Sequence, residues 1–135
     1  MKTVRGYHTS RPIFGERVPQ AIQNIVIKEY CGKNNLKYLL SKGEYSFNNS
    51  YFILINILNE LNGIDGIVCY SLFQLPSNNI IRTKIIHQII EKDKEIHFSL
   101  ENLSLKNRQD IYQTETLFKI KLNLWDCPKE NFLLE

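Results

Sequence analysis

No stretch of this 135-residue chain is long or apolar enough to cross a membrane. Its most apolar run, Tyr51 to Leu58, is broken by Asn56 and falls far short. The first residues lack the apolar stretch of a secretion signal. Cysteine is scarce: Cys31, Cys69 and Cys127 are odd in number and show no paired spacing, which excludes a disulfide framework or a zinc site. These thiols read as reduced, and the expected location is cytoplasmic, without membrane insertion. No set of His, Cys, Asp and Glu has metal-ligand spacing, so no metal is expected. Neither a Gly-x-Gly-x-x-Gly line nor a phosphate loop is present, which disfavours dinucleotides and nucleoside triphosphates. No cofactor is expected.

What remains is an ordinary globular composition, 43% hydrophobic and 23% charged. A length of 135 residues fits a single α/β domain over 1–135. Its core would span about 1–105, with an extension over 107–125 and a tail over 126–135. The net charge of +3 is too small to argue for nucleic acid. Its placement says more. Residues 1–18 hold Lys2, Arg5, Arg11 and Arg17 against Glu16 alone, which accounts for the whole excess. A local positive field of that kind fits an anionic small ligand better than a duplex.

Strand and helix patterns alternate along the chain. A strand at about Thr3–Tyr7 leads through a polar loop to a helix beginning near Pro19, a residue suited to a first helical turn. Ile22, Ile25, Val26 and Tyr30 form the expected apolar stripe of that helix, with Gln20, Gln23, Asn24 and Lys28 outside it. Leu36–Leu40 reads as a second strand. Residues 49–61 read as a second helix, capped by Asn49 or Ser50 and apolar on more than one side. Gly66–Leu72 has the continuous apolar character of a strand covered on both faces. A third helix is expected over Asn79–Lys92. Glu95–Glu101 alternates, with Ile96, Phe98 and Leu100 facing inward and Glu95, His97, Ser99 and Glu101 outward, as on an edge strand with one wet side. Asn107–Thr116 reads as helix, and Leu117–Trp125 admits a helical or a strand reading, with helix favoured. The fold class is therefore α/β: a three-layer sandwich around a four-stranded, mainly parallel sheet of order 2-1-3-4, as in flavodoxin-like proteins. Ligands of such sheets bind where the strand order reverses, here between the first and third strands.

That position is flanked by Gly6-Tyr7-His8-Thr9-Ser10-Arg11-Pro12 and Gly15-Glu16-Arg17-Val18-Pro19. Arg11 and Arg17 can hold an oxyanion through their planar forks, with the hydroxyls of Thr9 and Ser10 donating to it. The helix start behind Pro19 would add a favourable dipole. Ser10 with His8 is also a possible nucleophile and base. Glu44 and Tyr45 after the second strand, Ser71 and Gln74 after the third, and Gln23 in the first helix can reach the same crevice. The plain alternative is that the hydroxyls shape the turn and the arginines are solvated. Glu101 could act as an acid or base but reads first as a surface carboxylate. Cys69, inside an apolar strand, reads as buried and inert.

Two resemblances add to this reading. The Gly6–Pro12 line, Gly15-x-Arg17-Val18-Pro19, Gln23, Tyr30-Cys31, Ser71-x-Phe73-x-Leu75-Pro76 and His97-Phe98-x-Leu100-Glu101 together resemble a bacterial family found sporadically in carbohydrate-biosynthesis clusters. The resemblance covers about residues 3–105 and implies surface-polysaccharide metabolism, but no mechanism. The order of strand, Ser-bearing loop, Gln-containing helix and Leu72-Phe73-Gln74-Leu75 is also distantly similar to the catalytic domain of serine recombinases. This similarity implies a resolvase-like fold with Ser10 near the place of the nucleophile. Phe73-Gln74, however, replaces that family's Asp-Arg pair, and its next arginine falls near Pro76-Ser77. Its long helix and DNA-binding domain have no counterpart, so recombination is expected to be lost.

The leading expectation is a cofactor-independent isomerase or lyase of surface-carbohydrate biosynthesis. It would act on a phosphorylated or acidic sugar, or on a nucleotide-sugar, with His8 or Glu44 carrying the proton. The alternatives are a non-catalytic module that binds a sugar metabolite or an enzyme, and a degenerate recombinase-like nucleic-acid enzyme. Nucleic acid is the disfavoured partner. The apolar surplus of the second helix and of Leu117–Trp125 predicts a homo-oligomer, a dimer first.

Overall fold

A computed structural model describes residues 1–44 and 51–125. β1 (Lys2–Thr9), α1 (Gln20–Lys33), β2 (Leu36–Glu44), α2 (Phe52–Asn59), β3 (Gly66–Cys69), α3 (Asn79–Glu91), β4 (Glu95–Phe98), β5 (Leu103–Leu105) and α4 (Arg108–Trp125) follow in chain order. Short 3₁₀ turns occupy Leu61–Gly63 and Leu72–Gln74. The sheet order is β2-β1-β3-β4-β5. The first four strands are parallel, as expected, and β5 adds a fifth strand antiparallel to β4.

The chain moves one way from β1 to β2 and the other way from β2 to β3 and β4. Right-handed crossovers then put α1 on one face and α2 and α3 on the other. Two cores result. Val4, Ile27, Tyr30, Cys31, Val68 and Tyr70 pack under α1. The larger core joins Tyr7, Ile67, Cys69, Ile96 and Phe98 of the sheet to Leu54, Ile57, Ile86, Ile89, Ile111 and Phe118 of the helices. The 107–125 segment is helical, with Ile111, Phe118 and Leu122 turned inward and Ile120 and Leu124 exposed. Cys69 is fully buried and its thiol is pushed up by burial. Cys31 is buried as well, and its thiol is raised to about 11.

Three expectations, two about faces and one about a strand end, are corrected. The buried side of α1 is Gln23, Ile27, Tyr30 and Cys31, whereas Ile22 and Ile25 face solvent. Hydrogen bonds, not hydropathy, draw that side inward: Gln23 bonds to both backbone groups of Thr9 and to the carbonyl of Val18. β4 is no edge strand, because β5 flanks it and all four of its residues are buried. His97 and Glu95 lie inside, bonded to each other, and Leu100, expected inward, is exposed beyond the strand end. β3 stops at Cys69, and Leu72 begins a 3₁₀ turn capped by the Ser71 side chain, with Gln74 bonding back to the Ser71 amide. The expected helix caps at Asn49 and Ser50 lie outside the described residues.

α4 is held by Arg82 of α3, whose side chain is 3% exposed. Its guanidinium bonds Glu115 through two nitrogens at 2.6 and 2.7 Å and the carbonyls of Pro76 and Ser77 at 2.8 and 2.9 Å. It also stacks on the Phe118 ring at 3.7 Å. Arg82→Met would strand a carboxylate and two carbonyls and should lower stability by about 3–5 kcal/mol in urea unfolding. Arg108→Ala, whose exposed side chain reaches Glu91 at 3.7 Å, should change stability by less than about 0.5 kcal/mol.

Candidate functional site

The first loop is built inward rather than outward. Thr9 is fully buried, and its hydroxyl accepts from the amide of Arg11 at 3.0 Å. Arg11 turns back toward the sheet. Its guanidinium lies 3.5 Å from the Glu44 carboxylate, donates to the Tyr7 hydroxyl at 3.1 Å and to the Gln74 carbonyl at 2.9 Å, and stacks on Tyr51 at 4.2 Å. Glu44 is itself buried. Its carboxylate also accepts from the Tyr7 hydroxyl and from the amide of Ile53 at 2.9 Å. Burial and the neighbouring carboxylate push the Tyr7 phenol well above its ordinary range, against the pull of Arg11.

A second hub is made of amides. Gln23 accepts from Gln74 at 2.7 Å, and Gln74 accepts from the Ser71 amide at 3.2 Å. Gln23 thereby joins the loops after β1 and β3 across the switch point. Gln23, Ser71 and Gln74, with Thr9 and Arg11, do converge as the sequence implied. The side chains of the three candidate catalytic residues, His8, Ser10 and Glu44, do not meet one another. His8 packs on the α1 face, buried above Gly43, where an added Cβ would come within 2.3 Å of its ring. Its Nδ1 has no hydrogen-bond partner among the described residues, and burial lowers its pKa. Glu44 lies on the opposite face, against α2. Ser10 bonds the Glu44 carbonyl, through its amide at 2.9 Å and its hydroxyl at 3.4 Å. Arg17 is exposed. Tyr45 lies outside the described residues.

The open space is one step further along the carboxyl edge. The first loop ends in a tight hairpin tip, with Ile13 and Glu16 exchanging backbone hydrogen bonds at 2.8 and 3.0 Å. Phe14 and Gly15 at the tip both have positive φ, 50° and 82°, as in the I′ turn. A bulky aromatic in that region is strained. Here it aims Phe14 at Phe73, ring centroids 5.3 Å apart, with the Lys121 ammonium 5.5 Å from its own ring. Phe73 in turn meets Phe118 of α4 at 5.0 Å. Beside this aromatic stack lies a cleft of about 360 Å³ whose polar groups are Glu16, Tyr70, Ser71, Glu101 and Lys121. A smaller cleft of about 200 Å³ on the other side of Phe14 and Phe73 is lined in part by Arg11.

Glu101 is the chemically prepared group of the larger cleft. Its carboxylate accepts from the Leu72 amide at 2.7 Å and the Ser71 hydroxyl at 2.8 Å, which fixes its orientation. Burial nevertheless raises its pKa above the ordinary carboxylate value, with Lys121 acting in the other direction. Sequence reasoning left Glu101 at the surface and gave no role to Phe14, Phe73 or Lys121. Only a tertiary contact, α4 lying across the loops, brings them together. Among the described residues, no three His, Cys, Asp or Glu side chains form a metal-binding group, and no helix is long and apolar enough to cross a membrane.

Gln23→Leu keeps the volume but leaves the Val18 and Thr9 carbonyls and the Gln74 amide unpaired. It should cost about 3 kcal/mol in urea unfolding. A carboxyl NMR titration should place Glu101 above 4.5 and Lys121→Ala should move it higher still, because removing a nearby cation disfavours the carboxylate.

No protein-family model and no curated protein matches the sequence. Among solved structures, the chain is similar to a resolvase family site-specific recombinase from Streptococcus pneumoniae, with a TM-score of 0.65 over 97% of this chain and 91% of that one. The identity is 10%, so what the two chains share is the resolvase-like fold.

Proposed function

We propose that the 360 Å³ cleft binds a hydroxylated, anion-bearing small molecule of the sugar-phosphate, acidic-sugar or nucleotide-sugar class, and that Glu101 moves a proton on it. The observation that carries this reading is a carboxyl group held by two donors, raised by burial, and open to a cleft with aromatic walls. Phe14 and Phe73 offer apolar faces for the C–H side of a sugar ring, while Ser71, Tyr70 and Glu16 suit its hydroxyls. Lys121 supplies the positive charge for the anionic substituent. The sequence had assigned that task to Arg11 and Arg17. Arg11 is engaged with Glu44, Tyr7 and Gln74, and Arg17 is outside the lining of both carboxyl-edge clefts among the described residues.

A carboxyl group whose pKa is raised by burial is suited to general acid–base chemistry, and isomerisation or elimination needs little else. This fits a cofactor-independent isomerase or lyase. The placement in surface-carbohydrate biosynthesis rests on the motif resemblance in residues 3–105. Strand transfer on DNA is the weaker reading, with Phe73-Gln74 in place of an Asp-Arg pair and the first-loop arginine turned inward. Self-association as a homodimer is supported by the exposed apolar side chains Leu40, Phe52 and Ile55.

Thermal shift against sugar phosphates, uronic acids and nucleotide-sugars, followed by NMR of each hit for turnover, tests the proposal. Glu101→Gln should abolish turnover while binding persists. Lys121→Ala should weaken binding about tenfold, as loss of a charge-assisted contact. Binding without turnover in the native protein would favour the non-catalytic module, and no hit in any class would overturn the reading.

A further inference from the structure

At the opposite end of the sheet, a second group of titratable side chains lies apart from the carboxyl-edge clefts. The Tyr30 hydroxyl of α1 is 2.7 Å from Nδ1 of His97 in β4, and Nε2 of His97 is 2.7 Å from Glu95 Oε1. The other Glu95 oxygen accepts from Lys2 at 2.8 Å. All three members of the Tyr30–His97–Glu95 line are buried. Gly66 makes the room: a Cβ there would stand 2.3 Å from the Glu95 carbonyl oxygen and 3.0 Å from its Cγ. The line forms the floor of a cleft of about 310 Å³, whose rim carries Lys2, Ser104 and Lys106.

We propose that this cleft is a second ligand site, for a small molecule bearing a phosphate or carboxylate group, with Tyr30 as its proton-accepting residue. The tautomer follows from the partners. An ionised carboxylate can only accept, so Nε2 carries the proton toward Glu95 and Nδ1 is left to accept from the Tyr30 hydroxyl. Lys2 and His97 keep Glu95 below the ordinary carboxylate range despite its burial, and burial keeps His97 below the ordinary imidazole value. Both therefore hold these states at neutral pH.

The arrangement is that of a hydroxyl, an imidazole and a carboxylate in series, in which the carboxylate orients the ring and stabilises its cation. When the phenol oxygen takes a proton from a ligand atom, its own O–H bond breaks and that proton forms the Nδ1–H bond. The imidazolium so formed lies against Glu95. The electron pair left on the ligand faces the ammonium groups of Lys2 and Lys106. Those two cations and the Ser104 hydroxyl suit an oxyanion, for which lysine is a point-charge partner. The structural reading, a polar network that merely satisfies itself, explains the hydrogen bonds. It leaves unexplained an open cleft rimmed by two cations beside the Tyr30 hydroxyl. Burial pushes that hydroxyl's own ionisation up to about 12, so any proton it gives up has to pass to Nδ1 as the phenol oxygen is protonated.

Nitrogen-15 NMR of the imidazole, with inorganic phosphate and then acetate as probes, tests the proposal. The native protein should show the Nε2–H tautomer and saturable shifts of the His97 and Tyr30 ring signals with one of the two anions, which assigns the preferred anion. Lys106→Ala, an exposed substitution, should weaken that response about tenfold. Tyr30→Phe should bind the anion and yet lose the His97 response. Glu101→Gln, at the other end of the sheet, should titrate like the native protein, so failure here is separable from failure of the carboxyl-edge reading. Absence of a saturable response to either anion, or an unchanged response in Lys106→Ala, would overturn the proposal.

Discussion

The structure turns on one buried carboxylate. Glu44 closes β2 at 2% exposure, and a charge so placed is costly unless it is paired and hydrogen-bonded. Its partners come from three directions: Tyr7 from β1, Arg11 from the first loop and the amide of Ile53 from α2. Arg11 carries the tie further, to the Gln74 carbonyl beyond β3. Gln23 repeats the link with neutral groups, joining Thr9 and Val18 to Gln74. The loops on either side of the switch point are therefore fastened to each other. That fastening displaces the usable space toward Glu101 and α4.

Much of the architecture was legible because it follows from alternation. Continuous apolar character in Ile67–Cys69 marks a strand covered on both faces, and Pro19 marks the start of the first helix where the structure has it. Chain order and crossover handedness then give 2-1-3-4. The fifth strand, three residues of Leu-Ser-Leu after a turn, is too short to carry a period. The faces were harder. Hydropathy assigns Gln23 to solvent and Ile22 to the core, and the reverse holds because Gln23 satisfies four backbone and side-chain groups at once. In β4, alternating Glu95 and His97 read as a wet side. A polar network closed on Tyr30 and Lys2 leaves the same alternation while being buried.

The candidate site was legible in place but not in composition. Thr9, Arg11, Gln23, Ser71 and Gln74 meet as the order of strands implies, yet they meet as scaffold. Their polar atoms are largely taken up by one another. Glu101 read first as a surface carboxylate, and Phe14, Phe73 and Lys121 carried no assigned role in a site, since α4 has to lie across the loops before they share a cleft. The likeness to a resolvase family recombinase is one of fold. The chain keeps an open α/β frame with a cleft at each end of the sheet, one lined by Glu101 and the other by Tyr30.

The central claim is that Arg11 serves Glu44 rather than a ligand, and a double-mutant cycle reads it directly. Arg11→Met, Glu44→Gln and the double variant would be unfolded in urea and their stabilities compared. The account predicts that each single change is strongly destabilising and that the two are coupled by about 2–3 kcal/mol, as for a buried pair in one network. Coupling within about 0.5 kcal/mol, with Arg11→Met nearly as stable as the native protein and deficient only in binding an anion, would contradict it.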